Sequence, residues 1–232
     1  QRAQPPVRTC LGAAARFREI WDAARRQAVH RAFAATKMPY AEDAFTSVAH
    51  ALDLYGQAWT LMYTDACEAT WKRGEQSAEL LDLRMHCLEK QRQQLQALVA
   101  VYESADVDGV RRAASAAPLL AELRLCADTL GLLMAVRAPG DPVARARITA
   151  LEGRLAALRA RYQAGQYQPV LKEALLLASE SAKLDYPPLQ AEAELLLGDF
   201  QQAAGELADA ESSFYRALWA GESGKQDRIV VQ

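Results

Sequence analysis

The chain has 232 residues, of which 51% are hydrophobic and 24% charged, so it can bury one large or two small cores and is not a disordered protein. Its 27 Lys and Arg against 29 Asp and Glu give a net charge of −2, which excludes a general binder of nucleic acid or anionic membranes. Glycine and proline are scarce, and no stretch reaches the roughly 18 apolar residues of a membrane span. We therefore expect an all-α protein without a span in this chain.

The first half of the sequence predicts three long helices. Apolar residues at helical spacing indicate helix one from Phe17 to about Ala35, before a break near Pro39. Helix two has the strongest amphipathic pattern, with apolar residues at alternating steps of three and four. These residues are Phe45, Val48, Leu52, Tyr55, Trp59, Met62 and Ala66. Helix three carries an apolar stripe from Leu81 to Tyr102. Together they predict an antiparallel long-helix bundle.

Shorter elements follow the third helix. We expect a short helix from about Val107 to Ala117, and a second short helix or turn over 119–125. The sequence APGDP at 138–142 is typical of a linker. We therefore place a domain boundary there, between a cysteine-bearing bundle (1–138) and a second domain (139–232).

The second half contains a match to the tetratricopeptide pattern of small and aromatic residues. The matching residues are the pair Leu197-Gly198, then Ala210, Phe214 and Ala217. The match departs at Glu194 and Gln201, where the pattern prefers aromatic residues. Gly198 and Ala210 would let two antiparallel helices approach closely, with Phe214 filling the space toward a neighbouring repeat. This pattern predicts stacked helical hairpins, an α-solenoid.

An earlier, degenerate copy of the hairpin lies 40 residues before this one. Residues 165–167 align with 205–207, which places one helix at about 142–163 and its partner at about 167–184. Residues from 221 onward are similar to a loop and the start of another repeat helix. A stacked-repeat protein is expected to continue at that point, so we expect the array to be cut at its end.

No catalytic centre, metal site or cofactor is predicted. The histidines His30, His50 and His86 lie on separate helices without metal-ligand spacing, and no phosphate-binding or nucleophile motif occurs. Acid pairs such as Glu192 with Glu194, or Glu68 with Glu75, have the spacing of solvated helix faces. The tryptophans are expected to anchor the core, since they lie on or near apolar stripes. They are Trp21, Trp59, Trp71 and Trp219.

All four cysteines lie in the first half and lack C-x-x-C spacing. If helices one and two form a hairpin turning near Met38, Cys10 is 28 residues before the turn and Cys67 is 29 after it. The two cysteines would then lie at the same height along the hairpin. Cys87 and Cys126 flank a turn near residue 106 at 19 and 20 residues. Pairs Cys10–Cys67 and Cys87–Cys126 fit best among the three connectivities. Four buried free thiols are an equally good reading of the sequence alone.

Several motifs in the first half resemble a block found in receptor-type serine/threonine protein kinases of the myxobacterial kind. The motifs are Trp21-Asp-Ala-Ala-Arg-Arg, Pro39-Tyr-Ala-Glu-Asp-Ala, Asp65-Ala-Cys-Glu-Ala-Thr, Arg73-Gly-Glu-Gln-Ser and Leu81-Asp-Leu-Arg-Met-His-Cys-Leu. The resemblance covers about residues 10 to 130 and continues into the repeats. It departs at His86, where the family usually has a small residue, and in the degenerate first repeat.

In that family a cytoplasmic, ATP-binding kinase domain precedes one membrane span, a cysteine-bearing helical block and tetratricopeptide repeats. All four cysteines stand where the family carries them, so the resemblance implies disulfides in an oxidising, extracytoplasmic compartment. It implies kinase activity for the parent protein and none for these 232 residues. The membrane would be reached only through a span absent from this chain.

Two functions follow as hypotheses. The first is a sensory or scaffolding region whose repeats bind a peptide, a protein or a second copy of the receptor through a concave face. Counting from the Leu-Gly pair, residues expected on that face are Arg159, Gln163, Glu192, Asp199 and Gln202. The alternative is a soluble cytoplasmic scaffold or chaperone adaptor, which reduced cysteines would favour. A hydrolase would need a polar cluster that the sequence does not offer.

Overall fold

A computed structural model describes residues 10–113, 123–225 and 229, and within them it contains helices, turns and loops but no strand. The all-α prediction is confirmed. The α-helices are α1 (Ala13–Arg18), α2 (Ala23–Ala35), α3 (Ala41–Trp71), α4 (Ala78–Tyr102), α5 (Val107–Ala113), α6 (Thr129–Met134), α7 (Pro142–Gln163), α8 (Leu171–Ser181), α9 (Pro187–Ala204) and α10 (Leu207–Ser223). Short 3-10 turns cover Arg124–Ala127 and Gln168–Val170.

Some predicted features lie outside the described residues. They are the end of the short helix near Ala117, most of the turn expected over 119–125, and nearly all of the repeat helix expected after residue 225. Within the described ranges, no helix has both the length and the apolar content needed to cross a lipid bilayer.

The single helix predicted from Phe17 to Ala35 is wrong, because the chain breaks between α1 and α2. Asp22 adopts an extended backbone, and its side chain accepts a hydrogen bond from the Arg25 backbone N–H, so it caps a new helix. Trp21 is buried at this break and donates from Nε1 to Asp53 of α3 at 2.9 Å. The Asp22 cap and the hydrogen bond from Trp21 to Asp53 together favour a break in the helix, although the spacing of apolar residues predicts a continuous one.

The long helices α3 and α4 confirm the second and third predicted helices and carry the core of the bundle. Ser77 caps α4 by accepting from the Leu80 backbone N–H. Trp59 of α3 is almost fully buried, and its Nε1 donates to the Leu88 carbonyl of α4 at 2.9 Å. Its indole ring therefore fixes the register of the two helices.

Two disulfides crosslink the bundle. Cys10 is bonded to Cys67 near the end of α3, and Cys87 of α4 is bonded to Cys126 in the short 3-10 turn. The Cα atoms are 5.6 and 5.5 Å apart. These are the two pairs predicted by counting residues on either side of the two turns. The alternative of four free thiols is therefore wrong for this structure. Disulfides of this kind are typical of an oxidising environment outside the cytoplasm.

The second half forms two helical hairpins, α7–α8 and α9–α10. Helix α7 has the predicted bounds because Asp141 caps it by accepting from the Ala144 backbone N–H, with Pro142 in its first turn. Its partner α8 is shorter than the predicted 167–184, since a 3-10 turn containing Pro169 precedes it.

The two halves pack against each other through α4 and α7. One apolar cluster draws on residues 13–126 but also includes Ala160 of α7, while a second draws on residues 148–200. The division into independent domains at 138 and 139 therefore stays a prediction.

Candidate functional site: an apolar groove on the last helical hairpin

A groove of about 690 Å³ runs between α9 and α10, the two helices of the last hairpin. Its described lining comes from α9, α10 and the residue Ile229 beyond α10. The larger side chains among these residues are Leu195, Asp199, Gln202, Leu207, Glu211, Phe214, Tyr215, Leu218 and Ile229. A solvent-open groove with a mostly apolar lining is the kind of surface that proteins use to bind a partner.

The small residues of the tetratricopeptide pattern bring α9 and α10 close together beside this groove. Gly198 lies against the ring of Phe214, so closely that a methyl group on Gly198 would overlap the ring. Ala210 is 2% exposed at the same interface. The predicted close approach of the two helices is therefore present, and Phe214 is half-buried with part of its ring lining the groove.

Large apolar side chains on α10 remain exposed at and near the groove. Leu207 is 66% exposed and Tyr215 is 55% exposed, although both line it. Trp219, one turn beyond Tyr215, is 66% exposed. The apolar surface of α10 is thus wider than the part that α9 covers.

The expectation that all four tryptophans anchor the core is half wrong. Trp21 and Trp59 are buried, whereas Trp71 and Trp219 are 41% and 66% exposed. Both exposed residues lie near the end of their helix, α3 or α10. An apolar stripe there is covered only if another element packs on it, and the spacing of apolar residues does not reveal that.

Asp199 places a partly desolvated acid within the apolar groove. Burial raises the pKa of its carboxyl to about 6, although the positive charge of Arg159 opposes this shift. Glu211 lines the groove as a second, exposed acid. The groove therefore combines an apolar surface with negative charge, which favours an apolar partner carrying a positive charge.

The five residues predicted for a concave binding face do not form one surface. Asp199 and Gln202 line the groove. Glu192 is buried at the junction with the bundle, where its carboxylate lies 2.5 Å from the Lys90 ammonium of α4 and 3.1 Å from the Arg159 guanidinium. Gln163 is exposed at the end of α7 and lies outside the groove. Binding by Asp199 and Gln202 stays a prediction, while Glu192 is covered by the protein's own α4.

The interpretation of Glu192 and Glu194 as solvated acids is wrong. They are 4% and 5% exposed, and each pairs with a cation from another helix. Lys90 reaches Glu192 from α4, and Arg216 of α10 lies 3.0 Å from Glu194. Burial raises the pKa of Glu194, and Arg216 opposes the shift. Partners so distant in sequence cannot be identified from the local spacing of acids.

Glu152 is a second acid at the junction between α4, α7 and α9, beside Glu192. It is 7% exposed and lies 3.9 Å from the imidazole of His86. Burial raises its pKa, while the charge of Lys90 opposes the rise and that of Glu192 adds to it. These acids join helices rather than face an open cavity. In the ranges that the structure describes, no group of three or more His, Cys, Asp or Glu is placed to hold a metal ion.

The apolar lining residues Leu195, Leu207, Tyr215 and Leu218 are not among the predicted site residues. The signal for them is the 40-residue repeat, which aligns them with 155, 167, 175 and 178 of the first hairpin. Of these, 155, 167 and 178 lie in a core that α9 helps to form. Projecting that covered face onto the last hairpin would have marked its groove.

Comparisons with known proteins gave no match to any family model, curated protein or solved structure. The resemblance to receptor kinases therefore depends on the quoted sequence motifs alone.

Proposed function

We propose that this chain is a non-catalytic protein-interaction region on the extracytoplasmic side of a receptor-type serine/threonine protein kinase. The observation that carries the interaction function is the open groove of α9 and α10, with exposed Leu207 and Tyr215 beside the half-buried Asp199. Exposed apolar side chains grouped around one charged group are characteristic of a surface that another molecule covers.

The two disulfides support the extracytoplasmic location. Disulfides persist in oxidising compartments and are rare where thioredoxin and glutathione keep thiols reduced. Both crosslinks lie in the bundle, the part whose motifs resemble the block next to the membrane in receptor kinases. The competing hypothesis, a cytoplasmic scaffold or chaperone adaptor, requires four thiols in the native protein.

The arrangement of acids supports binding rather than catalysis. The most strongly buried acids, Glu152, Glu192 and Glu194, lie among helices and beside cations instead of facing a substrate-sized cavity. Phosphoryl transfer is assigned to the kinase domain of the parent protein and not to this chain.

Helix α9 offers a physical route from a bound partner to the bundle. One part of its surface, around Asp199, lines the groove, and Glu192 of the same helix is paired with Lys90 of α4. A partner that fixes α9 also fixes its contact with α4. A change in the proximity or orientation of two receptor copies would then pass through the bundle toward the membrane. The partner that binds the groove is a protein, a peptide or a second receptor.

Two observations on the native gene test this function. The reading frame before Gln1 is expected to encode a kinase domain followed by about 20 consecutive apolar residues. Alkaline phosphatase, which needs disulfides to be active, is expected to be active when fused after Gln232 of the native protein, while β-galactosidase at the same point is inactive. A frame with neither kinase nor span, or the reverse pattern of the two reporters, would contradict the proposal.

A further inference from the structure

We propose that the junction between the bundle and the repeats is a proton-dependent clasp, in which α7 docks on α4 while the pair Glu152 and His86 holds a proton. Loss of that proton weakens the docking. The clasp is a regulatory device beyond the proposed interaction function, and it is independent of what the groove of α9 and α10 binds. It depends on the charged groups that α4, α7 and α9 bring together.

The junction combines one apolar contact with buried charge. Among the described residues of the repeats, Ala160 of α7 belongs to the buried apolar cluster of the bundle and is 1% exposed. Glu152 of the same helix also faces the bundle, because its carboxylate lies 3.9 Å from the imidazole of His86 on α4. A contact of this partly polar kind, between two parts that each have an apolar core, allows them to move relative to one another.

The fixed cations of the junction are both paired with Glu192. Lys90 of α4 lies 2.5 Å and Arg159 of α7 lies 3.1 Å from its two carboxylate oxygens. In the described ranges, the ion pair that the structure shows for Glu152 is the one with His86, and 3.9 Å is too long for a hydrogen bond. Glu152 is therefore a buried carboxylate whose nearest partner carries a charge only when it is protonated.

The groups around Glu152 determine how firmly it holds a proton. Burial raises its pKa, and the negative charge of Glu192 on α9 adds to the rise. Lys90 and His86, both on α4, oppose it. Tyr186, which precedes α9, has its own pKa raised by burial and by these two acids, so its hydroxyl stays neutral. A positive charge on His86 compensates an ionised Glu152, so a proton at either residue favours docking.

The direction of the pH dependence follows from the burial of Glu152. When α7 leaves α4, the carboxylate becomes hydrated and its pKa falls back toward the 4.5 of an ordinary glutamate. The docked state thus binds the proton more tightly than the undocked state. Docking is favoured fully below about pH 4.5 and weakens as pH rises through the higher pKa of docked Glu152. One proton changes the docking equilibrium by at most about tenfold per pH unit.

Asp199 does not account for this dependence, although it also titrates near the junction. The positive charge that acts on its pKa belongs to Arg159. Asp199 and Arg159 lie on α9 and α7, which share the apolar core of the repeats and leave α4 together. The pair therefore stays together in the undocked state, whereas Glu152 loses Lys90 and His86.

The test measures how often the junction opens, by labelling a thiol placed inside it. Ala160→Cys supplies the thiol in the disulfide-bonded 232-residue chain, whose native cysteines are all paired. Gly153→Cys, on the exposed side of the same helix, gives the reference rate and corrects for the thiolate fraction at each pH. Ala178→Cys reports unfolding of the repeats, because Ala178 is 3% exposed in their core.

The rate at position 160, divided by the rate at position 153, is expected to rise at least threefold from pH 5 to pH 8. The same ratio for position 178 is expected to stay constant. Glu152→Gln, which resembles the protonated acid, is expected to keep the ratio for position 160 at its low pH 5 value throughout. Glu194→Gln is the matched control, since Glu194 is equally buried but pairs with Arg216 inside the last hairpin. It is expected to leave the rise in place.

Three results would overturn the clasp. They are a ratio for position 160 that does not change with pH, a rise that survives Glu152→Gln, and an equal rise at position 178. Circular dichroism checks the folding of each variant. If Ala160→Cys is labelled as fast as Gly153→Cys at every pH, Ala156→Cys decides the test, because Ala156 lies one helical turn from both Glu152 and Ala160 and is 5% exposed.

Discussion

Removing the Cys87–Cys126 disulfide should destabilise the helical bundle strongly and leave the repeats more stable than the bundle. The bond closes a loop between residues 39 positions apart, and chain-entropy estimates for a loop of this size are about 4 kcal/mol. That is a large part of the roughly 5–15 kcal/mol by which domains are stable. Cys126 is fully buried, and its carbonyl accepts from Arg84 Nε at 3.3 Å, so the crosslink also holds the turn against α4.

The perturbation is the double substitution Cys87→Ala and Cys126→Ala, which avoids leaving a buried thiol. Guanidinium unfolding is followed by tryptophan fluorescence in a Trp219→Phe background. In that background all tryptophans lie in the bundle, with Trp59 almost fully buried. Circular dichroism reports on all helices together, and its transition should separate from the fluorescence transition in the double variant.

The expected loss is about 4 kcal/mol of unfolding free energy for the bundle, less any strain that the crosslink relieves. A matched variant with Cys10→Ala and Cys67→Ala should lose a similar amount, because its loop spans 57 positions. A loss below about 1 kcal/mol in both variants would refute the reasoning, as would equal destabilisation of the cysteine-free repeats.

Three further predictions concern the repeats. Gly198→Ala should cost about 1–3 kcal/mol by overpacking against Phe214, and adding Phe214→Leu should recover part of that loss in denaturant unfolding. Lys90→Met should cost about 1.5–3 kcal/mol in denaturant unfolding, because it removes one of the two cations, Lys90 and Arg159, that pair with the buried Glu192. Because folding raises the pKa of Asp199 from 3.8 to about 6, its contribution to stability is fully present below about pH 3.8 and is lost as pH rises through about 6. Asp199→Asn should therefore gain on the order of 1 kcal/mol relative to wild type between pH 4 and pH 7 in urea titrations, and a gain in the opposite direction would contradict the assigned shift.

The sequence predicts most of the helices because their signals are local. Asp141 and Pro142 mark the start of α7, and alternating apolar steps mark α3. Counting residues from the two turns predicts the cysteine pairs, although Cys10 lies before α1 and Cys126 lies in a 3-10 turn rather than on long antiparallel helices. The break between α1 and α2 was missed, since it depends on Asp22 as a cap and on the distant acceptor Asp53.

The candidate site was predicted only in part, because its electrostatics depend on contacts between distant residues. Asp199 and Gln202 could be placed by counting from the Leu-Gly pair. The burial of Glu192 depends on Lys90, which is 102 residues away in the chain. Local spacing distinguishes the faces of one helix but does not say which other helix covers each face.

The most direct test of the interaction function is photocrosslinking in the native cell. A benzophenone amino acid at Tyr215, which lines the groove and is 55% exposed, is compared with the same group at Leu61, which is 70% exposed on α3 and outside the groove. The account predicts that position 215 alone crosslinks to one extracytoplasmic protein. No crosslink from position 215, or the same products from both positions, would contradict it.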